Sequence, residues 1–410
     1  MKHKSYHLRP WKNWCNDPNG LIYMNGTYHA FYQHYPYKPV HGAMYWGHAT
    51  SKDLYHWTHQ PIALFPDHLG EAFSGSAVYD KDNISGLGKD REGPLLLFYT
   101  SHRTFDLDDE ETYTQEQSLA YSNDGIHFYP YDKNPILKNQ GTKDFRDPKV
   151  FYHEASKKWI MSLAVYDRIE FYSSDNLLDW AFLSAFSSDH PSAQGLWECP
   201  DLFYVENGDQ KAWILIVSYG LEEQNGRSIT RYFVGDFDGE KFTSDGIAYA
   251  LDEGTDYYAG VSFANLEPVT TMGWAMNWGY APETPTEGYC GQMSGARTHF
   301  LFKQDNGKLR LGSKPTPMPE KYIISTKELN DNVTFNGSVL VDLDAAESFK
   351  LTLGNVDDYV VIARDRDGFS VDRAKSGKMD YHPMLERELY QKRYVKHAVK
   401  EAGCTKVFLD

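Results

Sequence analysis

Three carboxylates in this chain are set apart by their neighbours. Asp17 lies in Trp14-Cys15-Asn16-Asp17-Pro18-Asn19-Gly20, Asp147 in Phe145-Arg146-Asp147-Pro148, and Glu198 in Trp197-Glu198-Cys199-Pro200. Each stands beside a proline or a tight turn and against Trp, Phe or Arg, outside any solvated charge run. Separately held carboxylates suit the cleavage of a glycosidic bond: one attacks, one protonates the departing oxygen, one orients the ring. Taken singly the strings are weak. Asn16 to Gly20 reads as a type I turn, and an Asp before Pro is usually a cap or turn residue. Their shared setting and regular spacing give them weight together.

That spacing belongs to a repeat. Ser51-Lys52-Asp53-Leu54 leads to Trp57, Ser122-Asn123-Asp124-Gly125 to Phe128, Ser174-Asp175-Asn176-Leu177 to Trp180, and Asp236-Phe237-Asp238-Gly239 to Phe242. Each copy reads as strand, polar turn, strand. Asp17, Ser74, Asp147, Glu198 and Asp256 fall on the same beat, each just before an apolar run. The copies recur at the size of a four-stranded blade with long loops. The expected fold is therefore all-β: a five-bladed β-propeller over residues 1–312 whose first strands line a central axis. Carboxylates distant in sequence would converge there. Helical periodicity is scarce, and its best candidate, Met384 to Lys400, reads equally well as a loop with two short strands.

After about residue 300 the pattern changes. A Pro-rich linker, 313–319, leads into short alternating strands at Gly337–Leu343, Ser348–Leu353, Tyr359–Arg364 and Gly368–Val371. Residues 320–410 read as a β-sandwich, with Lys406 to Asp410 resembling a further strand cut short. An incomplete sandwich exposes an edge, which offers a surface for oligomerisation.

The 410 residues include 30 Tyr, 22 Phe and 10 Trp, a composition suited to strands and to stacking on sugar rings. A net charge of −16 argues against nucleic acid as a partner. No window of eighteen apolar residues suggests a membrane span, and Met1 to Pro10 lacks the apolar core of a signal peptide, so a cytoplasmic protein is expected. Cys15, Cys199, Cys290 and Cys404 form no CxxC pair and read as free thiols. His29, His34, His41 and His48 lack metal-site spacing, and the acidic run Asp106 to Glu111 lacks the ligand alternation of a calcium loop. No metal or cofactor is expected.

Taken together, Asn16–Tyr35, Trp46–Trp57, Phe73–Val78, Asp144–Val150, Trp197–Phe203 and Gly254–Phe263 closely resemble glycoside hydrolase family 32, the β-fructofuranosidases. The likeness runs from about Arg9 to the C-terminus, and Asp372 to Gly377 is similar to that family's sandwich signature. The resemblance implies a five-bladed propeller followed by a sandwich, acting on β-fructosides such as sucrose, sucrose 6-phosphate or short fructo-oligosaccharides. It implies Asp17 as nucleophile, Glu198 as acid/base and Asp147 as transition-state stabiliser. In that scheme Arg146 keeps the carboxylates ionised and steers Asp147. Asn16, Gln33, Ser74 and Asp256 offer hydrogen bonds to the sugar, and Trp46, Phe73 and Trp278 offer apolar walls. A retaining mechanism places the two principal carboxyl groups about 5–5.5 Å apart. The chain departs from the family pattern at Cys15, where many members carry Met, and in Thr284 to Cys290, which borders the leaving-group side. Fructosyl transfer through the same covalent intermediate, an inverting furanosidase, and a propeller that binds sugar without turnover are the rival readings.

Overall fold

A computed structural model describes residues 6–89, 93–106, 109–222, 227–323, 339–343, 348–396 and 405–409. Among them the protein is built almost wholly of antiparallel β-sheet. Five sheets follow one another along the chain. The first holds Asn13–Met24, Thr27–Tyr35, Tyr45–Ser51 and Trp57–His59. The second holds Glu71–Tyr79, Leu95–Asp106, Asp109–Ser122 and Tyr129–Pro130. The third holds Phe145–His153, Lys158–Val165, Arg168–Ser174 and Ala181–Ser187. The fourth holds Trp197–Asn207, Gln210–Glu222, Arg227–Phe237 and Phe242–Ser244, with Tyr249–Ala250 at its side. The fifth holds Tyr258–Ser262, Thr270–Trp274, Arg297–Lys303 and Leu309–Pro315.

The second strand of a sheet shows how the sheets pack. Leu95-Leu96-Leu97-Phe98 is a continuous apolar run, all buried, so both faces of its sheet are covered. Leu95 and Leu97 pack with Phe31 and Trp46 of the first sheet. Leu96 and Phe98, pointing the other way, pack with Val150, Met161 and Leu163 of the third. The fourth sheet divides likewise: Leu215 and Val217 join Ile160 and Phe171, whereas Ile214 and Ile216 join Leu301 and Leu311 of the fifth. A further cluster joins Val261 and Met272 of the fifth sheet to Trp14 and Ala30 of the first. The core is thus five wedges, one between each pair of neighbouring sheets. At roughly 1.5–3 kcal/mol for each fully buried Leu, Ile or Phe, the wedges rather than the loops hold the assembly together. The first strands of successive sheets touch in turn, and the fifth returns to the first, closing a ring.

The repeated polar turn joins the third and fourth strands of four sheets. Ser51 Oγ accepts from the backbone N–H groups of Asp53 and Leu54, and Asp53 Oδ1 from those of Tyr55 and His56. Ser122 with Asp124 and Ser174 with Asn176 make the same set. The fourth residue is left-handed in every copy: Leu54 (φ 67°), Gly125 (72°), Leu177 (66°) and Gly239 (99°). The side-chain oxygens replace the hydrogen bonds that the strand loses on turning.

The last strand of the fifth sheet runs to Pro315, three residues past the expected boundary, and tolerates proline because it is an edge. Beyond it lie a four-stranded antiparallel sheet (Phe349–Gly354, Tyr359–Arg364, Gly368–Lys375, Lys392–Lys396) and the pair Val339–Leu343 with Thr405–Leu409. The expected strand at Gly337 is described only from Val339. Within Met384 to Lys400, the segment Glu388–Gln391 makes one helical turn, and Lys392–Lys396 then pairs with Gly368–Asp372. The C-terminal sheet docks on the ring through Tyr280, Leu385 and Tyr390, all buried, and through Arg393 Nε, which donates to Glu253 O at 2.8 Å.

Candidate active site

Every first strand breaks its pairing with the second near its start. The irregularities fall between Cys15 and Pro18, Phe73 and Gly75, Arg146 and Lys149, Glu198 and Asp201, and Tyr258 and Val261. In each, the first strand carries one residue more than its partner, which is a β-bulge. Bulges re-aim side chains that a regular strand would bury in a wedge. Asp147 (φ 64°), Cys199 (47°) and Ala259 (50°) are left-handed at equivalent places, a conformation that costs non-glycine residues energy and is held by the sheets on either side.

The bulges bring Asp17 and Asp147 into one hydrogen-bonded network, with Glu198 joined to Asp147 through the Arg146 guanidinium. Asp17 Oδ2 accepts from Ser74 Oγ at 2.7 Å, and Oδ1 accepts from Asn16 Nδ2 at 3.1 Å. Trp14 Nε1 fixes that amide by donating to Asn16 Oδ1 at 2.8 Å. The Cys199 thiol reaches two carboxylates, with Sγ 3.4 Å from Asp17 Oδ2 and 3.6 Å from Asp147 Oδ2. The Cys199 N–H donates to Asp147 Oδ2 at 2.9 Å. Glu198 Oε1 accepts from Arg146 Nη2 at 3.1 Å, and its Oε2 accepts from the Tyr258 hydroxyl.

Burial dominates the electrostatics. It raises the pKa of Asp17, the Ser74 hydrogen bond opposes the rise, and the charge of Glu198 adds to it. Burial likewise pushes Asp147 up to about 7; Arg146 opposes, while Glu198 and Asp17 add to the rise. Arg146 loses this contest because of where it points. Its Nε lies 4.0 Å from Asp147 Oδ2, while its terminal nitrogens face Asp144 and Glu198. Arg146 therefore clamps Glu198 and Asp144 with its terminal nitrogens and reaches Asp147 with Nε alone.

A stability prediction follows for the ligand-free protein. An unfolded Asp titrates near 3.9, so folding favours the protonated form of Asp147. Its contribution is complete below about pH 4 and is lost as pH rises through about 7. Asp147→Asn cannot ionise and escapes that loss. Its stability relative to wild type should grow between pH 5 and pH 8 by about 3 kcal/mol, read from denaturant unfolding at each pH. A difference that does not change with pH would contradict the assignment.

The other expected site residues divide. Asn16 and Ser74 bind Asp17 directly, as above. Gln33 Nε2 donates to Ala72 O at 3.0 Å, tying the first sheet to the second beside Ser74. Phe73 is half-buried and stacks on His102 at 4.2 Å, and the half-buried Trp278 packs on Trp14 and Trp274. Trp46 is corrected: at 0% exposure it has no free face for a sugar, and it braces the rim by donating to Phe73 O at 3.0 Å. Asp256 is corrected as the opening residue of the fifth strand, which begins at Tyr258. Its carboxylate accepts from the Tyr280 hydroxyl, from Thr255 Oγ1 at 2.9 Å and from Arg373 Nη1 at 3.3 Å. Asp256 therefore anchors the C-terminal sheet.

Several residues of the site escaped the sequence reading. Tyr258 holds Glu198, Thr100 Oγ1 accepts from Asp147 N at 3.0 Å, and Asp144 takes one end of Arg146. Arg146, Glu198 and Tyr258 are the last paired residues before the bulge in three successive first strands, an equivalence that only the register reveals. Cys199, read as a free thiol, lies between Asp17 and Asp147. Cys15, Cys199 and Cys290 are free and buried, and Cys404 lies outside the described residues. His29 stacks on His48, and Nδ1 of His29 lies 3.1 Å from Nε2 of His48. No metal-holding group of His, Cys, Asp and Glu occurs among the described residues, and no helix among them is long and apolar enough to cross a membrane. The acidic run from Asp106 lies partly outside them.

The family model for the glycosyl hydrolases family 32 N-terminal domain matches residues 7–315. A levanase of Bacillus subtilis is 47% identical over 292 residues, covering 68% of this chain and 42% of its own length. An extracellular exo-inulinase of Aspergillus niger is 35% identical over 431 aligned positions, covering 92% of this chain and 80% of its own. Among solved structures, exo-inulinase from Aspergillus awamori superposes with a TM-score of 0.86 at 31% identity, over 99% of this chain and 89% of that one. Fructofuranosidase from Schwanniomyces occidentalis complexed with fructose gives 0.82 at 30%, over 96% and 84%. With its acids on the bulged strands of the matched region, this chain belongs to glycoside hydrolase family 32.

Proposed function

We propose that the protein is a retaining exo-β-fructosidase. Asp17 attacks C2 of a terminal β-fructofuranosyl residue while Glu198 donates a proton to the departing oxygen. The covalent fructosyl-Asp17 ester is then opened by water, with Glu198 as base. Asp147 accepts hydrogen bonds from ring hydroxyls and opposes the positive charge that develops on C2 and the ring oxygen. The scheme needs no cofactor. The observation that carries it is the thiol of Cys199 within reach of both Asp17 and Asp147, one residue from Glu198. It supports a single sugar ring meeting all three acids.

The same reading takes the five-sheet ring as a five-bladed propeller over residues 1–312 and the C-terminal strands as a β-sandwich over 320–410. The names levanase and exo-inulinase among the relatives favour fructans over the sucrose, sucrose 6-phosphate and short fructo-oligosaccharides that the resemblance implies. Purified protein is expected to release fructose, one residue at a time, from levan, inulin and sucrose, with the β-anomer formed first. No fructose from any of them rejects the activity, an α-anomer first rejects retention, and oligosaccharides as first products reject the exo mode.

A further inference from the structure

Two ionisable groups buried in the ring take no part in the chemistry above. Lys149 is 7% exposed and Asp201 0%. They occupy the first paired position after the bulge in the third and fourth sheets, Lys149 opposite Ser162 and Asp201 opposite Ile216. Lys149 Nζ donates to Asp201 Oδ2 at 3.1 Å, to Ser262 O at 2.7 Å and to Ser262 Oγ at 3.1 Å, which uses all three protons. Asp201 Oδ2 also accepts from Ser262 N at 2.5 Å. Three first strands are thus joined just past their bulges, Ser262 lying one residue beyond the first paired position of its strand.

The levels toward the site repeat this cross-strand pattern. Asp147 and Cys199, within the bulges, are joined by the bond from Cys199 N at 2.9 Å. Arg146 and Glu198, just before the bulges, are joined at 3.1 Å. A buried ion pair is a poor way to gain stability, because apolar side chains of similar volume hold a core at least as well. It supplies direction instead. A bulge loosens the register of its strand, and a lysine whose three protons have fixed acceptors allows one height only.

We propose that the Lys149–Asp201–Ser262 cluster is a positioning device that levels the first strands of the third, fourth and fifth sheets so that Asp147 and Glu198 meet the same sugar ring. The inference rests on the β-fructosidase reading, so fructose release by the wild type is measured first; its absence would reject that reading itself. The decisive variant is the apolar double substitution Lys149→Met/Asp201→Leu. It should keep a wild-type melting temperature, yet its kcat should stay about tenfold or more below wild type with KM within about twofold. A kcat that returns together with the melting temperature would show a merely structural pair and overturn the proposal. Should the double variant not fold, Asp201→Asn decides, assayed well below its own melting temperature: wild-type kcat there overturns the proposal, and a tenfold loss at unchanged KM upholds it. A crystal structure of Asp201→Asn reads the same point without turnover. The Cys199 N to Asp147 bond should be broken, and an unmoved pair would count against the proposal.

Discussion

Asp17→Ala is expected to lower kcat by about 10⁵-fold or more, with the fold intact. The carboxylate is aimed by three donors, Asn16 Nδ2, Ser74 Oγ and Cys199 Sγ. Each touches an atom that the substitution removes, and none of them is a nucleophile poised to replace it. The thiol is a weak candidate because burial, with Asp147 and Asp17 beside it, pushes its pKa well above the ordinary value. Stability should hold or rise, since burial and the Glu198 charge already work against ionised Asp17. The measurement is fructose release with a thermal melt on the same preparation. A folded variant that keeps about one per cent of wild-type turnover would take the nucleophile's role from Asp17.

The second large effect should fall on Glu198, and its form separates the two acids. Glu198→Ala should lose about 10³-fold in kcat. Both steps suffer, because the leaving oxygen departs without a proton and water attacks without a base. An anion such as azide needs no base. With Glu198→Ala it should open the fructosyl-Asp17 ester and give a β-fructosyl azide, raising the rate on a substrate whose leaving group departs without a proton. With Asp17→Ala no such ester forms, so any azide product must carry the opposite configuration. Rate recovery and a β-azide from Asp17→Ala would reverse the assignment. Arg146 and Tyr258, which hold the two oxygens of Glu198, would be left facing a void in Glu198→Ala. A melting temperature taken alongside separates that packing loss from lost proton transfer.

The sequence made the strands legible because their periodicity is strong. The Ser–Asx turns at Ser51, Ser122 and Ser174 mark where the third strands of three sheets end. The acids were legible because Pro follows Asp17 and Asp147 at once and Glu198 one residue later. The bulges were not legible. Whether Asp147 pairs regularly or turns left-handed depends on Leu163 of the next strand being skipped, a tertiary event without a local signature. The misplacement of Asp256 has the same origin. Counting to a polar residue before an apolar run stops two positions early in the fifth strand, where Tyr258 fills the place that Glu198 fills in the fourth. Trp46 shows a different limit, since residue type distinguishes a ring that faces a guest from one sealed beneath the rim only once neighbours such as Phe31 and Tyr99 are known.

The short strand Tyr289–Cys290 leaves the fifth sheet and lies parallel to Asn13 and Trp14 of the first. The chain fastens its own loop there, a few residues from Asp17, and Gly291 follows at φ 90° with no room for a Cβ against Cys15 O. The stretch Thr284 to Cys290, which the resemblance sets apart from the family pattern, ends in this clasp. Insertions should be accepted up to Glu287 and rejected from Gly288 onward, where Gly288 O accepts from Asn13 N at 2.8 Å and a change would unbuckle the ring.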